Sequence, residues 1–336
     1  MKAAVMHGAK DIRTETVPDP VCEPHGVIIQ VKACGVCGSD LHIYKRDDQA
    51  GTIFGHEFSG DIVEVGSQVQ GIKEGMRVTA AGFRSCGVCF WCQQGKMHRC
   101  SDMALLGYQF PGAMAQFVHV PFAALGRSIF PLPEELTYED GALVEPLSIS
   151  YFSVNRAQPK ESETIAVIGL GVIGLYAIQV LKAMGVGKIL VSGRRPSRLA
   201  TAKICGADVI IDASKDDAVK AIMEKTSNLG VNTVLECAGT QVTFDQSVAM
   251  ARGGGKIMLV GIYEEVLRWE PLSVISKNLT LIGCLGGNFP ASIELLKSGK
   301  VKTKNMITHR FSLDQAAEAF RTQLQDPSAI KVMIKP

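Results

Sequence analysis

Residues 163–185 read ETIAVIGLGVIGLYAIQVLKAMG. The run Thr164–Ile168 is short, apolar and partly β-branched, as a buried strand should be. Gly169, Gly171 and Gly174 then give G-x-G-x-x-G, and an amphipathic helix follows. Each glycine has a physical task in such a turn. Gly169 allows the tight bend, Gly171 lets a pyrophosphate approach the backbone, and Gly174 lets helix meet strand. The helix start at Val172 and Ile173 offers unpaired N–H groups to phosphate. A transmembrane helix would need about 20 apolar residues. The run is almost that long, but three glycines break its first half and the turn reading displaces the membrane one.

One such motif is weak by itself. Here it sits between a strand and a helix, and further β/α patterns follow at KILVSG, ADVIID, NTVLECAG and GKIMLVG. The fold class is therefore α/β, with a Rossmann domain built on a doubly wound parallel sheet. Its second strand carries the cofactor choice. NAD-binding chains usually end that strand with Asp or Glu, which takes the ribose 2′-OH. This one ends with Gly193, Arg194 and Arg195. Losing the carboxylate removes repulsion against a 2′-phosphate, and guanidinium forks suit phosphate oxygens. The expectation is NADP(H). The alternative is NAD, with the arginines merely solvated at a helix start. Asp212 ends the third strand and is not counted as the ribose partner. Pro196 opens the next helix.

The chain has 336 residues, long enough for two domains of roughly 150. Hydrophobic residues at 46% and charged residues at 20% are ordinary for a packed protein. A net charge of +2 gives no field for nucleic acid or an anionic membrane. The N-terminus, MKAAVMHGAKDIRTE, turns polar too soon for a signal peptide. A cytoplasmic location follows as an expectation, and there ten cysteines stay reduced.

Four of those cysteines crowd into SCGVCFWCQQGKMHRC, residues 85–100. Cys86, Cys89, Cys92 and Cys100 are spaced C-x2-C-x2-C-x7-C, unlike the C-x2-C-x2-C-x3-C-P of bacterial ferredoxins. Four thiolates on a short lobe fill a tetrahedral zinc shell and leave no open position, so this zinc is structural. Cys22, Cys34, Cys205, Cys237 and Cys284 are scattered and read as small buried hydrophobes.

A second set lies in CGVCGSDLHIYKRDD and FGHEFSGDIVEVG. Cys37 and His56 are plausible zinc ligands, and Glu57 and the distant Glu145 in GALVEPLS offer carboxylates. Three protein ligands plus water keep zinc reactive. With these motifs the chain resembles the zinc-containing medium-chain alcohol and polyol dehydrogenases from MKAAV to IKVMIKP. GVCGSDLH, GHEFSG, the four-cysteine lobe and EPLS occur in that family's order. The resemblance implies that Cys37, His56 and Glu57 or Glu145 bind a catalytic zinc. Direct, water-mediated or alternating binding by the two glutamates stays open. It also implies a proton relay through Ser39 and His42, since an alcohol must lose its proton before hydride leaves. Asp40 is assigned a structural part in the loop.

The resemblance further implies a GroES-like, β-rich catalytic domain at 1–146 and 286–336, holding two zinc ions per chain. The Rossmann domain would span 147–285. The implied reaction is reversible hydride transfer between NADP(+) and a secondary alcohol, polyol or sugar-alcohol derivative, giving the ketone. An L-threonine- or butanediol-type dehydrogenase using NAD is the alternative. A non-enzymatic NADP-binding sensor or scaffold is the rival of another class. Tyr44, Lys45, Arg46, Phe54 and Tyr108 are candidates for the substrate pocket. His309 and Arg310 are given structural roles. The expected partner is a small-molecule alcohol or ketone, not nucleic acid or membrane. A homodimer or homotetramer is expected, through an edge strand such as NLTLIG.

Overall fold

The apolar run Thr164–Ile168 forms a strand, and the helix Val172–Ala183 follows its glycine turn. The computed structural model describes residues 1–47 and 49–336. Its contacts divide the chain into two units. The first comprises Met1–Glu145, Phe289–Lys297 and Met306–Pro336; the second comprises Pro146–Asn288 and Ser298–Asn305. Residues 298–305 thus group with the second unit, whereas the sequence assigned all of 286–336 to the first.

The second unit is built on a six-stranded parallel sheet. Its spatial order is Val209–Asp212, Lys188–Gly193, Thr164–Ile168, Val231–Glu236, Ala251–Leu259, Thr280–Gly283. Numbered along the chain this is 3-2-1-4-5-6, the nucleotide-binding order, with its reversal between the first and fourth strands. Ile165, Ala166 and Val167 have no exposed surface, as a strand inside a parallel sheet requires. At Gly174, a Cβ would stand 2.1 Å from the Gly169 carbonyl oxygen, so helix and turn can pack this closely only over glycine.

The first unit is β-rich. A seven-stranded sheet runs Ile307–Ser312, Lys331–Lys335, Val27–Gly35, Glu57–Val65, Arg77–Ala80, Ile129–Pro131, with Phe117–Val120 also pairing Val27–Gly35. Its core includes Phe54, Phe58, Ile62, Met114 and Phe320. The register around the central strand decides what meets at its end. Gly35 pairs Glu57 on one side and Met333 on the other, both antiparallel. Two residues beyond Gly35 lies Cys37, and the same ends bring up His56, Glu57 and Lys331. No helix among the described residues is long and apolar enough to cross a membrane.

Candidate metal centres and dinucleotide site

The four cysteines lie between the paired strands Phe83–Arg84 and Ala104–Leu105. Sulfur separations are 4.0 Å for Cys86–Cys92, 3.9 Å for Cys89–Cys100 and 3.5 Å for Cys86–Cys100. A disulfide would need about 2.05 Å. Tetrahedral zinc with Zn–S near 2.3 Å sets sulfurs about 3.8 Å apart, so the donor set fits that ion. Backbone N–H groups, that of Cys92 first, lower the Cys89 thiol to about 6. That favours the thiolate a metal requires.

The second set is assembled from distant parts of the chain. Cys37 is the N-cap of the helix Gly38–Tyr44, and His56 immediately precedes the strand Glu57–Val65. One donor atom from each of Cys37, His56 and Glu57 lies within 4.8 Å of the others. His56 is buried, and its Nδ1 stands 3.6 Å from Asp40 Oδ1. Neither atom has a hydrogen-bond partner among the described residues. His56 also hydrogen-bonds the Cys37 sulfur, necessarily through its other nitrogen. Burial opposes charge on this ring, but the sulfur and the Asp40 carboxylate outweigh it and hold the pKa well above the ordinary value. In charge terms the centre is rich in acceptors. A soft sulfur, an imidazole and a carboxylate suit zinc there.

Asp40 bonds its own loop, in keeping with the structural part expected of it, and also faces the site. Its Oδ2 accepts from the Cys37 N–H at 3.0 Å, and its Oδ1 faces His56. Carboxylates so placed behind a ligand histidine fix its orientation. Glu57 is held from behind as well. Lys331 Nζ reaches its two oxygens at 2.7 and 2.6 Å and donates to the Val36 carbonyl at 2.9 Å. Lys331 and Glu57 side chains are only 2% and 1% exposed. Burial alone would lower the lysine pKa, but Glu57 and Cys37 raise it overall. Glu145, in the first turn of the helix Val144–Ala157, lies outside the close trio. Burial raises its pKa to about 7, against the pull of His56.

Ser39 Oγ donates to Cys37 Sγ at 3.1 Å. His42 lies three residues along the same helix, on the same face. Burial and Lys45 lower its pKa. Two pocket candidates prove to be core. Tyr44 is 2% exposed, donates to the Lys10 carbonyl and packs on Phe320; Phe54 has no exposed surface. Large aromatics near the metal motif in sequence are drawn inward by the apolar area they bury. Arg310 pairs with Glu139, and His309 with Asp326, both as structural contacts.

In the second unit, a cavity of about 620 Å³ opens at the C-terminal ends of the strands. Gly169, at φ +89, makes the turn beneath it. Ile168–Gly171, Gly193–Arg195, Ala213, Cys237 and Ala238 line it, whereas the Val172 and Ile173 side chains do not. With no side-chain cap at Gly171, the backbone N–H groups of that helix start stay available. Arg198 also lines the cavity, a residue the sequence reading missed. The signal was its place in the first turn of the helix Pro196–Ile204, just after Arg194 and Arg195. Burial and Arg195 lower its pKa to about 10. Three guanidinium groups and no carboxylate line this cavity. Glu236 contributes from behind the wall. Its oxygens accept from the Ala238 and Gly239 N–H groups at 2.8 and 3.0 Å and from the Tyr263 hydroxyl at 2.5 Å.

Comparison with known proteins gives two family matches. Residues 23–134 match the alcohol dehydrogenase GroES-like domain, and residues 172–298 match the zinc-binding dehydrogenase model. The chain is 36% identical to a sorbitol dehydrogenase of Bacillus subtilis, over 100% of this chain and 97% of that one. It is 35% identical to a Bacillus subtilis (R,R)-butanediol dehydrogenase, over 100% of both. A zinc-binding dehydrogenase of Sinorhizobium meliloti, solved bound to NADP, superposes with TM-score 0.91 at 30% identity, covering 100% of this chain and 99% of that one.

Proposed function

This chain belongs to the zinc-binding medium-chain dehydrogenases, the zinc-dependent alcohol and polyol oxidoreductases, and from that premise we propose that it couples NADP(H) to the interconversion of a secondary alcohol or polyol and its ketone. The observation that carries the cofactor choice is the cavity wall of Arg194, Arg195 and Arg198 without a carboxylate. A ribose 2′-phosphate would find forked donors there, and a free 2′-OH would find no acid. The glycine turn and the helix start at Val172 and Ile173 would hold the pyrophosphate.

Cys37, His56 and Glu57 would hold the catalytic zinc, with Glu145 a further carboxylate beside them. When bound, zinc would polarise the reacting oxygen and the nicotinamide would exchange the hydride. Asp40 Oδ1 stands 3.6 Å from His56 Nδ1, and Lys331 bonds both oxygens of Glu57. Ser39 Oγ would take the proton from the alcohol and hand it to His42. With its pKa lowered, that imidazole is neutral near pH 7 and able to accept it. Cys86, Cys89, Cys92 and Cys100 would hold a second zinc with no part in the chemistry.

The test is a panel of secondary alcohols, diols and polyols with NADP+ and NAD+, beside metal analysis. We expect about two zinc ions per chain and a lower KM for NADP+. Replacing Arg194 and Arg198 together by Ala should raise that KM at least about tenfold and barely move the KM for NAD+. A wild type that prefers NAD+ overturns the cofactor assignment. Cofactor binding with no turnover on any alcohol would return the chain to the sensor reading. The edge strand Thr280–Gly283, with Leu272, Ile275 and Leu285 each more than 60% exposed nearby in sequence, supports self-association of this chain. Sedimentation would separate dimer from tetramer. Free thiols at all ten cysteines accord with a reducing, cytoplasmic setting.

A further inference from the structure

Glu145 is close enough for its charge to act on His56, yet it lies outside the trio of donors. The chain reaches it through the short helix Tyr138–Ala142, which Leu143 joins to the helix Val144–Ala157. Alternate residues of a strand share a face. On the strand Glu57–Val65, one face carries Glu57, Ser59 and Asp61, and the other turns Phe58 and Ile62 into the core. Glu57 belongs to the metal centre, and its two companions both go to Tyr138. Ser59, with no exposed surface, donates its hydroxyl proton to the Tyr138 carbonyl at 2.5 Å. The Tyr138 hydroxyl donates in turn to Asp61 Oδ1 at 2.5 Å.

Other contacts press the same helix onto the strand. The Arg77 guanidinium lies over the Tyr138 ring, 4.7 Å from its centre, and donates to the Leu136 carbonyl at 2.7 Å. At Gly141 a Cβ would stand 2.7 Å from the Ser59 Cβ, so the helix can lie this close only over glycine. A helix of five residues has no stability of its own, and its place is set by what it packs against. Glu145 follows Tyr138 by seven residues, about two helical turns. One face of one strand therefore supplies a donor at its first residue and seats a second carboxylate through its third and fifth.

We propose that Ser59, Asp61 and Tyr138 are positioning residues that hold Glu145 at its place beside Cys37, His56 and Glu57, and that they act on the centre through that carboxylate. The inference rests on the dehydrogenase reading, with Glu145 a carboxylate of the reactive centre. The test is a double-mutant cycle of Tyr138→Phe with Glu145→Gln. Tyr138→Phe keeps the ring under Arg77 and removes only the bond to Asp61. In that variant a chelator should compete about tenfold better for zinc at the Cys37 centre, with the four-cysteine zinc unmoved. With NADP+ and the fastest alcohol of the panel, kcat should fall about tenfold and KM change little. In the Glu145→Gln background the same substitution should move neither quantity more than about twofold, because the group it places is gone. Ser59→Ala should repeat the pattern, and it decides the matter should Tyr138→Phe fail to fold. Equal losses in both backgrounds, as general loosening of the unit would give, overturn the proposal. So do unchanged values in both single variants, or a Glu145→Gln protein with wild-type zinc affinity and kcat. No turnover of any alcohol by wild type would instead sink the dehydrogenase reading, and the zinc arm of the cycle still judges these three residues.

Discussion

Two clusters of metal-ligating side chains in the same unit are built in opposite ways. The four-cysteine set comes from one sixteen-residue stretch, on a lobe closed by two short strands. The Cys37 set comes from strand ends brought together by register, and Glu57 is bonded to a lysine 274 residues away. Around the thiolate cluster the partners are sulfurs and backbone N–H groups. Around Cys37 they are a buried ammonium, a buried carboxylate and a hydroxyl. A complete thiolate shell needs little from its neighbours and does structural work. A shell with an open place needs surroundings that fix each ligand and manage charge, and those surroundings are costly to bury.

The sharpest way to break this contrast is to remove one sulfur from each cluster. Cys37→Ala should lower kcat/KM at least about a thousandfold, since the lost polarisation is worth several kcal/mol, with little change in melting temperature. Cys89→Ser should instead free the lobe at 83–105 to proteolysis while a second zinc stays bound. Activity loss of equal size in both, with the lobe still protected, would erase the distinction. Next in size is Lys331→Met, which strands a buried carboxylate. Denaturant titration should show a loss of about 3–5 kcal/mol, much of it restored when Glu57→Gln is added. Asp40→Asn should weaken zinc at the Cys37 centre by about 10- to 100-fold, read by competition with a chelator, and leave the thiolate cluster untouched.

The smallest effect belongs to an ion pair away from both centres. Hydrogen bonds from Arg310, then Lys335, lower the Glu139 pKa from 4.5 to about 2. A folded-state pKa below the unfolded one stabilises above about pH 4.5, and that contribution is lost as the pH falls towards 2. Because Arg310 and Lys335 are about half exposed, it should not exceed about 1 kcal/mol. Melting temperatures of Glu139→Gln and wild type should therefore converge as the pH is lowered through that window.

How much of this was legible in the sequence follows from the same contrast. The glycine turn and the four-cysteine lobe were plain because their spacing is local. Cys37, His56 and Glu57 were legible as residue types, and the pairing of Gly35 with Glu57 explains why they meet. Lys331 was invisible: nothing in IKVMIKP says that its lysine lies inside the protein against a carboxylate. Asp40 looked like a loop residue because its local bond to Cys37 N hides its second oxygen's task. Tyr44 and Phe54 stand beside metal motifs, and their rings belong to the core, the commoner fate of such residues. Arg198 escaped because the reading stopped at the arginine pair and did not follow the first turn of the helix Pro196–Ile204.

Gly193 ends its strand directly under Leu170, and a Cβ built there would come within 2.7 Å of Leu170 Cδ1. The leucine occupies the room that a side chain at 193 would enter. On the proposed NADP(H) reading, Gly193→Asp should swing preference towards NAD+, with the Leu170 side chain turning aside to admit the new Cβ.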